Sequence, residues 1–569
     1  MIAQSLLGVL LALVMYAISV SPSLMARSWW WHAASSGVLM AVGYVIGLVI
    51  DKVGGWVVDW VGLSVTAAPW AREWAERVVL VVFLLWFARA VILSARDTRR
   101  AAALVEMPPE TLPAYLLGAV GALVLTYLLL GLLAGVIWIL RGLVNLFARW
   151  MPAPVAWLVA GALVATLVVV LTSRVLMGGI LSFFSRHALK MDRRTARGIY
   201  QPVQPERSGS LGSLSSWESV GGQGRVFLGR GPHREDIEAV TGRPAKEPIR
   251  VYAGMPHGRE TLADRARLVV DELARTGAFD RSVLVVTTST GSGWVDEWQV
   301  QPVEYLTGGD CATASMQYSY VPSSINVLTG LEPSMQASAL LFEAVRSALE
   351  ALPAGRRRPD LYVCGESLGA YASQHVFGGL DDVRAKVSGA LWVGTPSFTD
   401  LHRDLTRSRH RGSPEVAPVV DNGRVVRFAN LPENLAVDVY GRELGPWEFP
   451  RVVYAQHPSD PVVWWSTDMI WNQPDWMREK AGHDVSSRVE FTRGASFIQV
   501  LADLPVAGTA PAGHGHTYHE ELIPLWEGIL GLHDPRRPAA LPDGDWVDAD
   551  MRTRIGQAIS ANIALSDRQ

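Results

Sequence analysis

Two hydrophobic patterns divide this chain near residue 186. Before it, apolar residues come in long runs, at 2–20, 36–50 with flanks, 78–93, 115–140 and 155–172. A bilayer is crossed by a helix of about 20 apolar residues, so the pattern predicts five spans. Beyond residue 231 the apolar runs shorten and alternate with amphipathic stretches. Strands are predicted at 249–253, 283–287, 361–364, 389–393, 425–429 and 452–455, and helices at 261–276 and 334–352. Strand and helix in alternation predict a mostly parallel sheet with helices on both faces. Residues 201–231, rich in Gly, Ser and Arg without sustained periodicity, read as a linker or surface-hugging connection. The expected organisation is a transmembrane helical domain over 1–186, a basic interfacial segment and linker over 187–245, and an α/β domain over 246–569.

The first run has no basic n-region and no small-x-small cleavage site, so it reads as a helix rather than a signal peptide. Trp56, Trp60, Trp70 and Trp74 fall between the second and third runs, where indoles favour the headgroup layer. Arg96, Arg99 and Arg100 follow the third run; Arg186, Lys190, Arg193, Arg194 and Arg197 follow the fifth. Cationic residues are retained on the cytoplasmic side, so five spans place the amino terminus outside and the α/β domain inside. Residues 175–190 are expected to continue as an amphipathic helix along the inner surface.

Composition narrows the field. A net charge of −3 leaves no nucleic-acid footprint. Two cysteines, Cys311 and Cys364, exclude a disulfide framework. The spans carry no acids, histidines or paired charges at mid-membrane, which argues against a transporter.

The chemistry centres on residues 361–370, Leu-Tyr-Val-Cys-Gly-Glu-Ser-Leu-Gly-Ala. An apolar run, then Gly-x-Ser-x-Gly, then a helix-compatible segment is the pattern of a nucleophile elbow, with Ser367 as nucleophile. A serine hydroxyl needs a base, and the base needs a carboxylate to fix its tautomer; in an α/β-hydrolase the chain order is Ser, acid, His. Asp460, in the His457-Pro458-Ser459-Asp460-Pro461 turn after a late strand, is the expected acid, ahead of Asp468 and Asp475. The loop Gly513-His514-Gly515-His516-Thr517-Tyr518-His519 offers the base, His516 with His514 as the alternative. The same spacing resembles part of a metal site, but no matching carboxylate and histidine pattern accompanies it, so neither metal nor cofactor is expected. One oxyanion N–H is expected from Leu368, after the nucleophile. The other is expected from Thr290 or Gly291, in the glycine-rich loop after the strand at 283–287. That loop lacks the Gly-Lys-Ser/Thr ending of a P-loop.

Pro22-Ser23-Leu24, Gly43-Tyr44, Pro248-Ile249-Arg250-Val251-Tyr252, Arg275-Thr276-Gly277-Ala278-Phe279 and Gln317-Tyr318-Ser319-Tyr320 join the elbow, acid and histidine motifs in a wider pattern. Over nearly its whole length the chain resembles a bacterial family of multi-pass membrane proteins ending in an α/β-hydrolase domain. The resemblance implies a serine-hydrolase fold, with the nucleophile at Ser367, the acid at Asp460 and the base in the Gly-His-Gly-His loop; it implies no settled substrate. Ser289-Thr290-Gly291-Ser292-Gly293 departs from the usual Thr-Gly-Thr-Gly form, which bears on the oxyanion donor.

The expected function is a membrane-anchored esterase or lipase acting on lipid or long-chain acyl esters through an acyl-enzyme, with the bilayer and the ester as its partners. The tryptophans at 464–465 and 471–476 are expected to bring apolar surface near the site. An acyltransferase using the same residues, or a non-catalytic membrane-tethered receptor or scaffold, are the alternatives.

Overall fold

The computed structural model describes residues 5–62, 69–255, 260–537, 541 and 543–567. The chain divides into two units, residues 1–181 with 467–510, and residues 182–466 with 511–569.

In the first unit the long apolar runs form α1 (Leu6–Ser19), α2 (Trp29–Trp60), α3 (Pro69–Leu104), α4 (Leu112–Phe147) and α5 (Ala153–Val170). Four of them, α2 to α5, are long and apolar enough to cross a membrane. The expected first span is described only in part. Its described helix has 14 residues, about 21 Å at ~1.5 Å per residue, short of a hydrocarbon layer of about 30 Å. Residues 2–4 of that expected span lie outside the described residues.

These helices meet at small residues. A Cβ added to Gly43 would lie 2.6 Å from Leu11 O, and one on Gly47 would lie 2.5 Å from the Gly8 Cα. Helices with no hydrophobic drive to associate gain most from such close backbone approach. Many of their large apolar side chains point outward: Leu116, Leu128, Leu132 and Trp138 of α4 are exposed, as are Trp56, Trp60, Trp70 and Trp74, whereas Leu13, Tyr16 and Met40 are buried.

Residues 467–510 complete this unit, although in the chain they separate the expected acid from the expected base. Their helix Ala495–Asp503 ends on a wholly buried carboxylate that pairs with Arg27 Nε at 2.7 Å and accepts the Leu24 N–H at 3.0 Å and the Ser23 hydroxyl. Arg27 Nη2 also donates to Gln499 O at 2.7 Å. Arg488 pairs with Asp97 of α3 at 3.0 Å.

After α5 come a π-helical stretch, Leu171–Met177, and α6 (Gly178–Asp192). The second unit is then built on β1 (Ile249–Ala253), β2 (Val283–Thr288), β3 (Cys311–Met316), β4 (Asp360–Glu366), β5 (Gly389–Val393), β6 (Val426–Ala429) and β7 (Arg451–Ala455). They form one parallel sheet in the order β1-β3-β2-β4-β5-β7-β6. Successive side chains on a strand point to opposite faces. Leu361 and Val363 thus join one core with the helices Leu262–Arg275 and Glu332–Glu350, and Tyr362 and Cys364 join another with Glu297–Leu306 and Leu522–Leu530.

One strand was not expected. β3, Cys-Ala-Thr-Ala-Ser-Met, alternates Ala312, Ala314 and Met316 with Thr313 and Ser315, but its apolar positions are mostly alanine and do not stand out as a hydrophobic run. Residues 201–231, expected as a linker or a surface-hugging connection, are closely held. Arg207 is wholly buried, donating to Leu228 O at 3.2 Å and Pro232 O at 2.8 Å, and the Ser208 N–H donates to Arg250 O at 2.9 Å. A buried guanidinium has to find such acceptors, so this segment is locked against β1.

Candidate active site

A parallel sheet brings the carboxyl ends of its strands to one edge, where the loops can assemble a site. Ser367 directly follows β4 with φ 53° and ψ −120°, a left-handed conformation rare for a non-glycine residue. Such strain costs on the order of 1–3 kcal/mol and persists only where surrounding contacts enforce it. Here the Ser367 N–H donates to Val393 O at 2.9 Å, and its carbonyl accepts the Tyr371 N–H at 3.0 Å. The flanking glycines have no room for a side chain. A Cβ on Gly365 would lie 2.6 Å from the Gly369 carbonyl carbon, and one on Gly369 would lie 2.4 Å from Thr288 O. Ser367 alone among residues 361–370 is not fully buried.

Asp460 caps the short helix Pro461–Trp464 after β7 and is wholly buried. Its Oδ1 accepts the Val462 N–H at 2.9 Å; its Oδ2 accepts the Tyr518 hydroxyl at 2.8 Å and lies 2.7 Å from His516 Nδ1. Asp468 and Asp475 belong to the other unit. The imidazole that meets Asp460 is that of His516. The backbone of its loop closes as a tight hairpin, the Thr517 N–H donating to His514 O at 3.2 Å. Gly515, between the two histidines, is held at both ends: its N–H donates to Ser459 Oγ at 2.8 Å, and its carbonyl accepts from His457 Nδ1 at 2.9 Å. His457 thereby ties the acid turn to the histidine loop, and its ring stacks on Tyr518 with centroids 4.0 Å apart. His519 stacks on Trp298. Among the described residues, no group of three or more His, Cys, Asp and Glu side chains is placed to hold a metal ion.

Three contributors were not foreseen. Gly394, just past β5, carries φ +53°, and a Cβ there would fall 2.4 Å from His516 Cε1 and 3.2 Å from Asp460 Oδ2, so only glycine admits the pair. Tyr518 supplies the second hydrogen bond to Asp460 Oδ2. Glu366, inside the Gly-x-Ser-x-Gly motif, is buried with Oε2 accepting from Gln299 Nε2 at 2.9 Å and Oε1 lying 4.0 Å from His516 Nε2. Its signal was in the motif, but a variable position gives no reason to single it out. Burial pushes the Glu366 carboxyl up to about 7, against the pull of His516. Burial by itself lowers the His516 imidazole, but the charge and hydrogen bond of Asp460, aided by Glu366, carry it up to about 9. His516 Nε2 is buried and makes no hydrogen bond.

The expected oxyanion donors need correction. The Thr290 N–H donates to Trp294 O at 2.9 Å, and the Gly291 N–H donates to Ser323 Oγ at 3.0 Å. Both are engaged, because the glycines fold this loop on itself instead of opening it to the site. Ser289 is the loop residue that packs on the nucleophile turn, its carbonyl 3.5 Å from a Cβ placed on Gly369. Leu368 is where it was expected, first in the helix Leu368–Gln374, and the opening N–H groups of a helix have no partner within it.

A model of the alpha/beta-hydrolase family matches residues 249–539, about half of the chain, and a model of that family's N-terminus matches residues 20–232. The chain belongs to the alpha/beta-hydrolase family. Comparison with curated proteins and with solved structures gave no match. Within this alpha/beta-hydrolase, Trp464 packs into the acid turn, its Nε1–H donating to His457 O at 3.0 Å. Trp471 and Trp476 belong to the helical unit.

Proposed function

We propose that this protein is a membrane-anchored serine esterase acting on lipid or long-chain acyl esters. The observation that carries the reading is the Asp460–His516 contact at the sheet edge where Ser367 is held in a strained turn. Ser367 Oγ attacks the ester carbonyl and passes its proton to His516 Nε2, the ring nitrogen left without a partner. Asp460 holds Nδ1–H and stabilises the imidazolium. The tetrahedral oxyanion is met by the backbone N–H of Leu368, worth about 3 kcal/mol. His516 returns the proton to the departing alkoxide as the C–O bond breaks. Water then attacks the acyl-enzyme, giving its proton to His516, and Ser367 leaves protonated as the acid is released.

The long-chain preference is supported by the four apolar helices in the same chain. Turnover of p-nitrophenyl esters of rising chain length tests it, with kcat/KM expected to grow at least tenfold from acetyl to decanoyl. A fall with chain length would remove the lipid reading. Partition of product between acid and an added alcohol separates hydrolysis from acyl transfer.

The hydrolase unit is assigned to the cytoplasmic side. Arg96, Arg99 and Arg100 near the end of α3, and Arg186 and Lys190 in α6, lie on one side when α4 and α5 form a returning pair. This assignment does not depend on whether α1 crosses. A cysteine placed at the exposed Val203 that an impermeant maleimide reaches in right-side-out vesicles, but not in inverted ones, would contradict it.

A further inference from the structure

The hydrolase unit has a cavity of about 380 Å³ walled by α6 on one side and the loops after β2 and β3 on another. Its volume falls in the range of about 300–1,000 Å³ usual for small-molecule sites. Phe184, Ala188 and Met191 of α6 face Val226 and Pro322 across it, and Ser292 brings in the loop that leaves β2 beside the nucleophile turn. A larger hollow of about 720 Å³ is different in kind. It includes Arg451, at the start of β7 and so at the opposite edge of the sheet, and its charges satisfy each other: Arg451 with Asp534 at 2.6 Å, Arg552 with Glu527 at 2.8 Å.

We propose that the α6 cavity binds a single-chain amphiphile with an anionic head, drawn from the bilayer surface. The apolar wall fits the chain. The polar lining fits the head: Arg194 and His187 line the cavity, and among the described residues no carboxylate pairs with Arg194. The one acid in the wall, Asp192, is already committed, its Oδ1 accepting from Gln317 Nε2 at 2.9 Å and the Gly222 N–H at 3.1 Å. The chain supplies the route. The last helix long and apolar enough to cross ends at Val175, and Phe184 follows nine residues later in the chain. Phe183 and Phe184 are exposed on α6 together with Arg186 and Lys190, the composition of a helix that lies in the headgroup layer. As the acyl subsite of an esterase the assignment rests on the function proposed above; as a binding site it does not.

The test uses the full-length Ser367→Ala protein in detergent micelles, so that no turnover is needed, with a diazirine-bearing palmitate as probe. Saturable labelling of peptides containing Met191 and Val226 is expected. Oleate and lysophosphatidylglycerol should displace the probe at least tenfold better than uncharged monoolein, and whichever of the two is stronger identifies free acid or lipid head as the source. Val226→Trp, which fills the cavity, should cut labelling at least fivefold. Arg194→Gln, an exposed change with little risk to folding, should erase the advantage of the anions. Labelling that spreads evenly over the crossing helices, that monoolein displaces as well as the anions do, or that Arg194→Gln leaves unchanged overturns the proposal. Such a result with wild-type Ser367 still reactive would leave the esterase standing, whereas specific labelling with an unreactive Ser367 would do the reverse.

Discussion

The two units are packed in opposite senses. In the hydrolase unit the large side chains are inside: Trp392, Trp526, Tyr362 and Tyr454 are wholly buried, and every residue of β2 and β5 is buried. In the helical unit Gly37, Ala119, Ala122 and Ala160 line the inside beside a few large residues such as Leu13, Tyr16 and Met40, while Leu128, Leu132 and Trp138 face out. Water would not tolerate so continuous an apolar exterior, because patches beyond a few hundred Å² are rare on soluble monomers. The difference teaches which solvent each unit is built for. It also explains why the site lies in the unit with the large core: a strained Ser367 and a buried Asp460 need a rigid surround.

The largest expected effect separates chemistry from scaffold. Ser367→Ala should lower ester turnover at least about 10⁴-fold, while the thermal unfolding of both units, followed by differential scanning in detergent, stays close to wild type. An inactive variant that also unfolds early would blur the two roles.

Arg27→Ala comes next. It strands the buried Asp503 carboxylate, and loss of one partner of a buried pair costs about 3–5 kcal/mol. Unfolding by denaturant in detergent checks this, with Arg346→Ala as reference, since that pair is partly exposed and worth about 0.2–1 kcal/mol.

The inside-out packing itself can be broken at Leu128. A lysine there, near the middle of α4, should raise the cost of membrane insertion by about 2.5–3.5 kcal/mol, measured in an insertion assay. A neutral result would mean that this face meets water. Overpacking sharpens the same contrast: Gly47→Leu should cost about 1–3 kcal/mol where it meets Gly8, and Gly54→Leu, with nothing within 4 Å, should cost far less.

The smallest effect is that of pH. The His516 imidazole stands at about 9 against an ordinary 6.5, so its contribution to stability is complete below about 6.5 and is lost as pH rises through about 9. Glu366, at about 7 against 4.5, contributes below 4.5 and loses that contribution as pH rises through 7. The hydrolase unit should therefore weaken from acid to alkali. Catalysis should move the other way, kcat/KM rising until His516 is neutral near pH 9, and Asp460→Asn should shift that rise to lower pH. A profile flat from pH 6 to 9 would contradict the environment described for His516.

Much of the fold was legible because periodicity reports burial. Six of the seven strands carry Val, Leu or Ile. β3 was missed because its alternating apolar positions are mostly alanine, whose hydrophobic contrast with Thr313 and Ser315 is small. The elbow was legible because tight turns demand glycine at fixed spacing. The pairing of His516, not His514, with Asp460 follows from a hairpin bonded at Gly513 and Thr517, which side-chain identity does not encode. The oxyanion loop misled for a related reason: glycines permit a backbone path without saying which N–H ends up bonded. The destination of residues 467–510 was hidden because contacts such as Asp503 with Arg27 link positions 476 apart in sequence.

The most direct measurement is labelling of the full-length protein with a fluorophosphonate probe. Wild type should react at Ser367, His516→Ala and Asp460→Asn should react much more slowly, and Ser367→Ala should not react. A wild-type protein that stays unlabelled, or a Ser367→Ala variant labelled as fast as wild type, would contradict a serine nucleophile at this elbow.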